Sequence, residues 1–435
     1  MSIFLILLAC VFLIFLGKSV FGKWFNHVSL YSTVWGGTLM LFELRLINYY
    51  PLESETLIII LTTWIFFLLG SMTVVVARAA LKSKDQVLDD EIEPKMKENE
   101  LKQLRTILLW LNVITFFAGI YDLYLVSKIF GSLSNAFLLG NLLYSYQVSE
   151  GLPGSIPLLS SLSFTAAMLA GSYTARKGKI TFISIFPLIM LTLIGLVKMG
   201  RVDILMGTIL FISGYFLTSK GKEQHLKKST LAIRKFAIVF VVIIIAAAGA
   251  EFIRSTRKAQ EGFAGATKSL NALSSTNLIT PSVYLYLSSH HGIFNQYLKH
   301  GGENTPFGAN TFLPIYRWLG KLGIEIHAKP FQTRYKTPVR TNTGTYLREL
   351  HADFGMIGLL LVPYILGLLA SMYWYRIENY GRYVDLSIGA FLYVIIGMSF
   401  FVMATRQGQL IIYLITAIII GHFIDKTSGG LTKAS

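Results

Sequence analysis

Eleven apolar runs divide the chain, at about 1–17, 29–46, 56–77, 106–127, 157–175, 180–198, 202–218, 236–252, 354–375, 384–404 and 408–424. A helix needs about 20 mainly apolar residues to cross a bilayer, so each run reads as a spanning helix. Of the 435 residues 53% are hydrophobic and 14% charged, enough apolar material for roughly ten to twelve such spans. That composition excludes a soluble enzyme with a tail and predicts an all-α polytopic integral membrane protein.

The net charge of +16, from 39 Lys and Arg against 23 Asp and Glu, would suggest nucleic acid in a soluble protein. Membrane proteins carry cytoplasmic positive charge for topological reasons, and nucleic acid is discounted as a partner. Cys10 is the one cysteine, so neither an intrachain disulfide nor a thiol metal cluster is expected. The first run lacks a preceding basic region and is followed by Lys18 and Lys23, the reverse of a secretory signal.

The connections orient the helices. Segments 78–105 and 220–235 hold seven and six Lys/Arg and are expected to be cytoplasmic. Alternation from there puts 22 Lys/Arg inside against five outside, apart from one long loop, which predicts N-out, C-in. That loop, 253–352, carries twelve Lys/Arg on the outer face, and long loops cross regardless of charge. It is too aromatic for disorder (SVYLYL, GIFNQYL, TFLPIYRWLG) and predicts short interfacial helices, with Tyr316 and Trp318 at headgroup level. The expected organisation is an N-terminal bundle of eight helices over 1–252, the outer loop over 253–352 and three C-terminal helices over 353–435. Within the first part, 78–105 reads as a charged linker. Segment 128–157 reads as a second outer interfacial segment, with Phe130, Leu133, Phe137 and Leu138 at helical spacing.

Under this topology Glu43, Arg45, Asp122, Arg201, Asp203, Glu251, Arg254, Asp353 and Arg406 fall at or near outer helix ends. A coupled transporter binds its substrate close to the midplane, so the distribution points to work at the outer surface. Arginine dominates: Arg201, Arg254, Arg257, Arg340, Arg348 and Arg406 all fall outside. A guanidinium binds phosphate bidentately and stays charged at any working pH. Converging arginines outside a membrane imply a lipid-linked pyrophosphate. The competing reading is that some of them satisfy acidic neighbours such as Asp203, Glu251 and Glu349.

Other motifs carry less. Asp353-Phe354-Gly355 matches the kinase metal-binding tripeptide, but no glycine-rich or catalytic loop accompanies it. His290 and His291 are adjacent, so on a helix they diverge and cannot chelate as an i, i+4 pair would; they read as interfacial polar residues. The acids are scattered, and no metal or other cofactor is expected.

A GR pair opening a span (Gly200-Arg201), the segment Gly308-Ala-Asn-Thr-Phe312 and a Thr-rich stretch leading into Asp353–Gly358, behind a long late outer loop, resemble the oligosaccharide repeat-unit polymerases, the Wzy or O-antigen polymerases. The motif matches lie around 200–204, 254–258 and 308–358. The resemblance implies a GT-C-like, metal-independent glycosyltransferase in a bacterial cytoplasmic membrane, with its active site facing outward. It would transfer a growing glycan from undecaprenyl pyrophosphate to an incoming lipid-linked repeat unit, in polysaccharide or lipopolysaccharide biosynthesis, with a chain-length regulator as a further partner. It also implies essential outer arginines, carried onto Arg201, Arg254, Arg257 and Arg406, then Arg340 and Arg348.

The departing pyrophosphate would be stabilised by fixed arginines, and the acceptor hydroxyl would be helped by a base among His351, Asp353 and Glu349. For Asp353 the alternative is an N-cap opening the next span. Two rivals remain: a polysaccharide ligase, differing only in acceptor, and a flippase or exporter, which would place charge at the midplane.

Overall fold

A computed structural model describes residues 3–82, 96–149, 152–219, 228–256, 266–274, 281–323, 332–341 and 344–427. A helix stands at each apolar run: α1 (Ile3–Phe21), α2 (His27–Glu43), α3 (Ser54–Lys82), α4 (Met96–Phe130), then, after α5 (Leu133–Leu138) and α6 (Gly140–Ser149), α7 (Pro157–Lys177), α8 (Phe182–Val197), α9 (Val202–Thr218) and α10 (Lys228–Thr256). The region expected as an outer loop contains α11 (Lys268–Ser274), α12 (Pro281–Ser288), α13 (His290–Lys299), α14 (Leu313–Lys321) and a two-stranded antiparallel ribbon, β1 (Tyr335–Lys336) with β2 (Arg340–Thr341). The chain continues as α15 (Tyr346–Tyr380), α16 (Tyr383–Met398), a 3-10 turn (Ala404–Arg406) and α17 (Gly408–Thr427). Among the described residues six helices are long and apolar enough to cross a bilayer: α1, α3, α4, α10, α15 and α17; α8, α9 and α16 are shorter apolar helices. The protein is an all-α, multi-pass membrane protein.

Several boundaries differ from the sequence reading: α4 begins at Met96 rather than near 106, α10 at Lys228 rather than near 236, and α16 ends before 404. α15 runs from Tyr346, but its backbone leaves helical geometry at Gly355, so the apolar span begins next to 354 as expected and is preceded by a short helical stretch in which Tyr346, Leu347 and Leu350 are fully buried. α16 stops at Met398, where Ser399 leaves the helix. Its carbonyl accepts from the Tyr346 amide at 2.8 Å and its hydroxyl accepts from Trp35 Nε1 at 2.8 Å.

The chain divides into two units. Unit 1 comprises 1–86, 259–372 and 395–408; unit 2 comprises 87–258, 373–394 and 409–435. In unit 1, α2 is the buried centre. Tyr31 stacks on Phe67 of α3 at 4.1 Å, its hydroxyl meets that of Tyr346 at 3.0 Å, and His27 Nε2 meets Ser371 Oγ at 2.7 Å. Such polar links between buried helices satisfy groups that an apolar surround would otherwise penalise. α12 and α13 pack against α2. Both His290 and His291 are fully buried there, not interfacial; His291 Nε2 lies 3.0 Å from Thr38 Oγ1 and its ring faces Trp35.

In unit 2, α7 is the buried centre, a Ser/Ala-rich helix packed against α4, α8 and α9. Gly171 of α7 lies against the Phe211 carbonyl and Gly214 of α9 against the Met168 carbonyl, where a Cβ would sit within 2.2 Å of backbone. Each glycine faces backbone of the other helix, and the two together let the helix backbones touch, as at tight membrane-helix interfaces. Phe130, Leu133 and Phe137 pack with Val126, Ala136, Leu143, Val197 and Met199, as their spacing predicts, whereas Leu138 is exposed.

Candidate anion and acid–base site

The densest polar cluster in unit 1 is built on the first turns of α15. Arg348, Glu349, His351 and Asp353 come from one short stretch, so helical rotation sends them to different neighbours. The helix then breaks at Gly355 (φ 61°, ψ −153°), a conformation open to glycine alone at little cost.

Asp353 faces the segment 305–311. Its Oδ1 accepts from Thr305 Oγ1 at 2.7 Å, Asn310 Nδ2 at 2.9 Å and the Asn310 amide at 3.0 Å. Its Oδ2 accepts from the Thr311 amide at 2.7 Å and Thr311 Oγ1 at 2.8 Å. Asp353 is 6% exposed, and its oxygens accept from the 305–311 segment rather than from amides of the following helix, so its side chain is not an N-cap opening the span. Asn310, whose amide nitrogen is shared between Asp353 and Thr305, turns its carbonyl oxygen to accept from Arg406 Nη1.

Arg406 sits in the 3-10 turn at 8% exposure. Burial pulls its pKa down; Glu349 opposes that, Arg317 adds to it, and Asp353 and Arg348 contribute less. An arginine in this setting remains protonated at neutral pH. Arg317, on α14, is exposed, yet the crowding chain also lowers its pKa. α14 lies against the 3-10 turn, so two guanidinium groups share one electrostatic neighbourhood. Glu349 is 1% exposed, and neither carboxylate oxygen has a hydrogen-bond partner on another described residue.

Arg348 is committed elsewhere. Its Nη2 donates to Glu303 Oε1 at 3.0 Å, and its guanidinium lies over the rings of Tyr297 and Tyr335 at 5.4 and 5.2 Å. Tyr297, whose phenol is pushed up to about 12 by burial, places its hydroxyl 2.9 Å from His351 Nδ1 and accepts from the Glu303 amide at 3.0 Å. His351 is half-buried, with its Nε2 edge unpartnered among the described residues.

The structure thus brings together five of the sequence candidates: Arg348, Glu349, His351, Asp353 and Arg406. Arg340 is exposed on β2, opposite Lys336. Arg201 and Arg254 belong to unit 2. There Arg254 Nε donates to Glu251 Oε2 at 2.7 Å, Arg201 lies within electrostatic reach of Glu251, and Lys198 pairs with Asp203 at 2.8 Å. Arg257 lies outside the described residues. Sequence reasoning missed Glu303, Asn310 and Arg317. Asn310 stood inside the Gly308–Phe312 motif, but neutral side chains give no charge signal, and Arg317 stood in an aromatic stretch read as an interfacial anchor. Among the described residues no group of three or more His, Cys, Asp or Glu has metal-holding geometry. No known protein family, curated protein or solved structure matches the chain.

Proposed function

We propose that this protein is a metal-independent glycosyltransferase that polymerises undecaprenyl-pyrophosphate-linked oligosaccharide repeat units at the outer face of a cytoplasmic membrane, through a GT-C-like fold of about eleven spans. The observation that carries the reading is Arg406, a buried guanidinium held in fixed orientation beside Arg317, in a chain built of apolar helices. Preorganised cations stabilise charge that develops on a departing pyrophosphate without reorganisation during the reaction, and a planar fork matches phosphate oxygens.

In the step, an acceptor hydroxyl attacks the anomeric carbon of the donor. The new C–O bond forms as the bond to the pyrophosphate oxygen breaks, and undecaprenyl pyrophosphate leaves with the electron pair. The hydroxyl proton goes to His351 Nε2. Its ring is oriented by the Tyr297 hydroxyl at Nδ1, the arrangement by which a second hydrogen bond sets an imidazole's tautomer. Glu349 is buried within electrostatic reach of Arg406 and Arg348.

The test uses purified full-length protein in bilayer discs with a lipid-linked repeat unit as donor and acceptor. A ladder of polymer on the lipid carrier is expected. Arg406→Lys keeps the charge and loses the fork; loss of a charge-assisted contact of roughly 1.5–3 kcal/mol lowers turnover about ten- to a hundredfold. Polymer formation at wild-type rate by folded Arg406→Lys and Arg406→Ala would overturn the reading. Transfer to a different acceptor without a ladder would favour a ligase.

A further inference from the structure

We infer that Asp353 is a positioning residue acting through Asn310, and that its carboxylate works as an orienting anchor for Arg406 rather than as a base. Five donors from Thr305, Asn310 and Thr311 converge on the two oxygens of Asp353. A carboxylate carries about four lone-pair sites, so an acceptor hydroxyl would have to displace a bond already made. The same bonds determine which way Asn310 points. Its Nδ2 donates to Asp353 Oδ1 at 2.9 Å and Thr305 Oγ1 at 3.1 Å, which leaves the amide oxygen as the only atom able to face Arg406, and it accepts from Nη1 there. Reversing the amide would put two donors against a guanidinium and an acceptor against a carboxylate.

The segment carrying Asn310 has its own supports. The Thr305 amide donates to the Ala352 carbonyl at 3.0 Å, the Phe312 amide to the Gly308 carbonyl at 2.8 Å, and the Phe307 ring packs edge-on against Phe354 at 4.9 Å. Asp353, Asn310 and Arg406 therefore form a chain from α15 through the 305–311 segment to the 3-10 turn. Arg406 sits on a three-residue turn, and this chain contributes one of the contacts that orient its guanidinium.

Only the assignment of Arg406 to the leaving group rests on the function proposed above; the orienting chain itself does not. Its test is therefore independent of turnover. Full-length protein in detergent is treated briefly with phenylglyoxal, and adduct at Arg406 is read by peptide mass spectrometry, with exposed Arg45 as internal reference. Asn310→Ala and Asp353→Asn are each expected to raise Arg406 labelling about tenfold, the scale of one lost charge-assisted bond, with no further rise in the double variant. Thr311→Val should give a smaller rise. Unchanged Arg406 labelling in folded Asn310→Ala and Thr311→Val would overturn the inference, even if Asp353→Asn does not fold. In the polymerisation assay Asp353→Asn should lower the rate at every pH while keeping the wild-type shape of the pH–rate profile. Loss of the acidic limb, the fall in rate at low pH where a catalytic base is protonated, would identify Asp353 as a base. Absence of polymerisation by the wild type would remove the functional reading and leave the labelling result standing.

Discussion

Arg348 donates to Glu303 at 3.0 Å while lying between the rings of Tyr297 and Tyr335. Its side chain is 3% exposed and that of Glu303 24%, so the pair is largely withdrawn from water. Removing one partner of a buried pair strands the other, and the lost cation–π contacts add to the cost. Arg348→Ala should lower stability by about 2–4 kcal/mol, with activity falling in proportion to folded protein. Thermal unfolding in detergent measures it, and an unshifted transition would return Arg348 to the list of substrate ligands.

His291 makes stability fall with acid. Burial pushes its imidazole down to about 3 from an ordinary 6.5, with neighbouring His290 adding a smaller push. The folded state therefore refuses a proton that the unfolded chain accepts below 6.5. The contribution is fully present above that pH and is lost progressively as pH falls toward 3, amounting to about 2 kcal/mol at pH 5. His291→Gln, which can keep a bond to Thr38, should flatten the pH dependence of unfolding by one proton's worth. Equal slopes in variant and wild type would contradict the burial argument.

Sidedness follows from the charge bias. In a Cys10→Ser background, Ala80→Cys should react with an impermeant thiol reagent only from the cytoplasm and His300→Cys only from outside. The opposite pattern would place the Arg406 cluster on the wrong leaflet for an exported lipid-linked substrate.

If Arg406 and Arg317 stabilise the leaving group, chelation should leave polymer formation unchanged, and Arg317→Ala should lower turnover about tenfold, the loss of one charge-assisted contact. The measurement is ladder formation by purified protein with and without chelator. Loss of the ladder, restored by Mg²⁺ or Mn²⁺, would show that a metal does this work.

Helix positions were readable from the chain because hydropathy is a local sum: each of the eleven runs carries its own signal for leaving water, and a helix stands at every one. The region 253–352 likewise declared itself by its aromatic residues, which could not stay solvated over so long a stretch, and among the described residues it holds four short helices before α15. What a charged side chain does is not local. Arg348, Glu349, His351 and Asp353 lie within six positions of one another and looked equivalent, yet packing commits Arg348 to Glu303, saturates Asp353 with the 305–311 segment, leaves Glu349 buried without a partner and holds His351 by one nitrogen. Those outcomes depend on residues 40 to 60 positions away, such as Asn310 and Tyr297. Burial and hydrogen-bond saturation are properties of the neighbours a side chain acquires on folding. Composition and spacing therefore determined where the helices lie, and tertiary contacts alone decided which charges are left to meet a substrate.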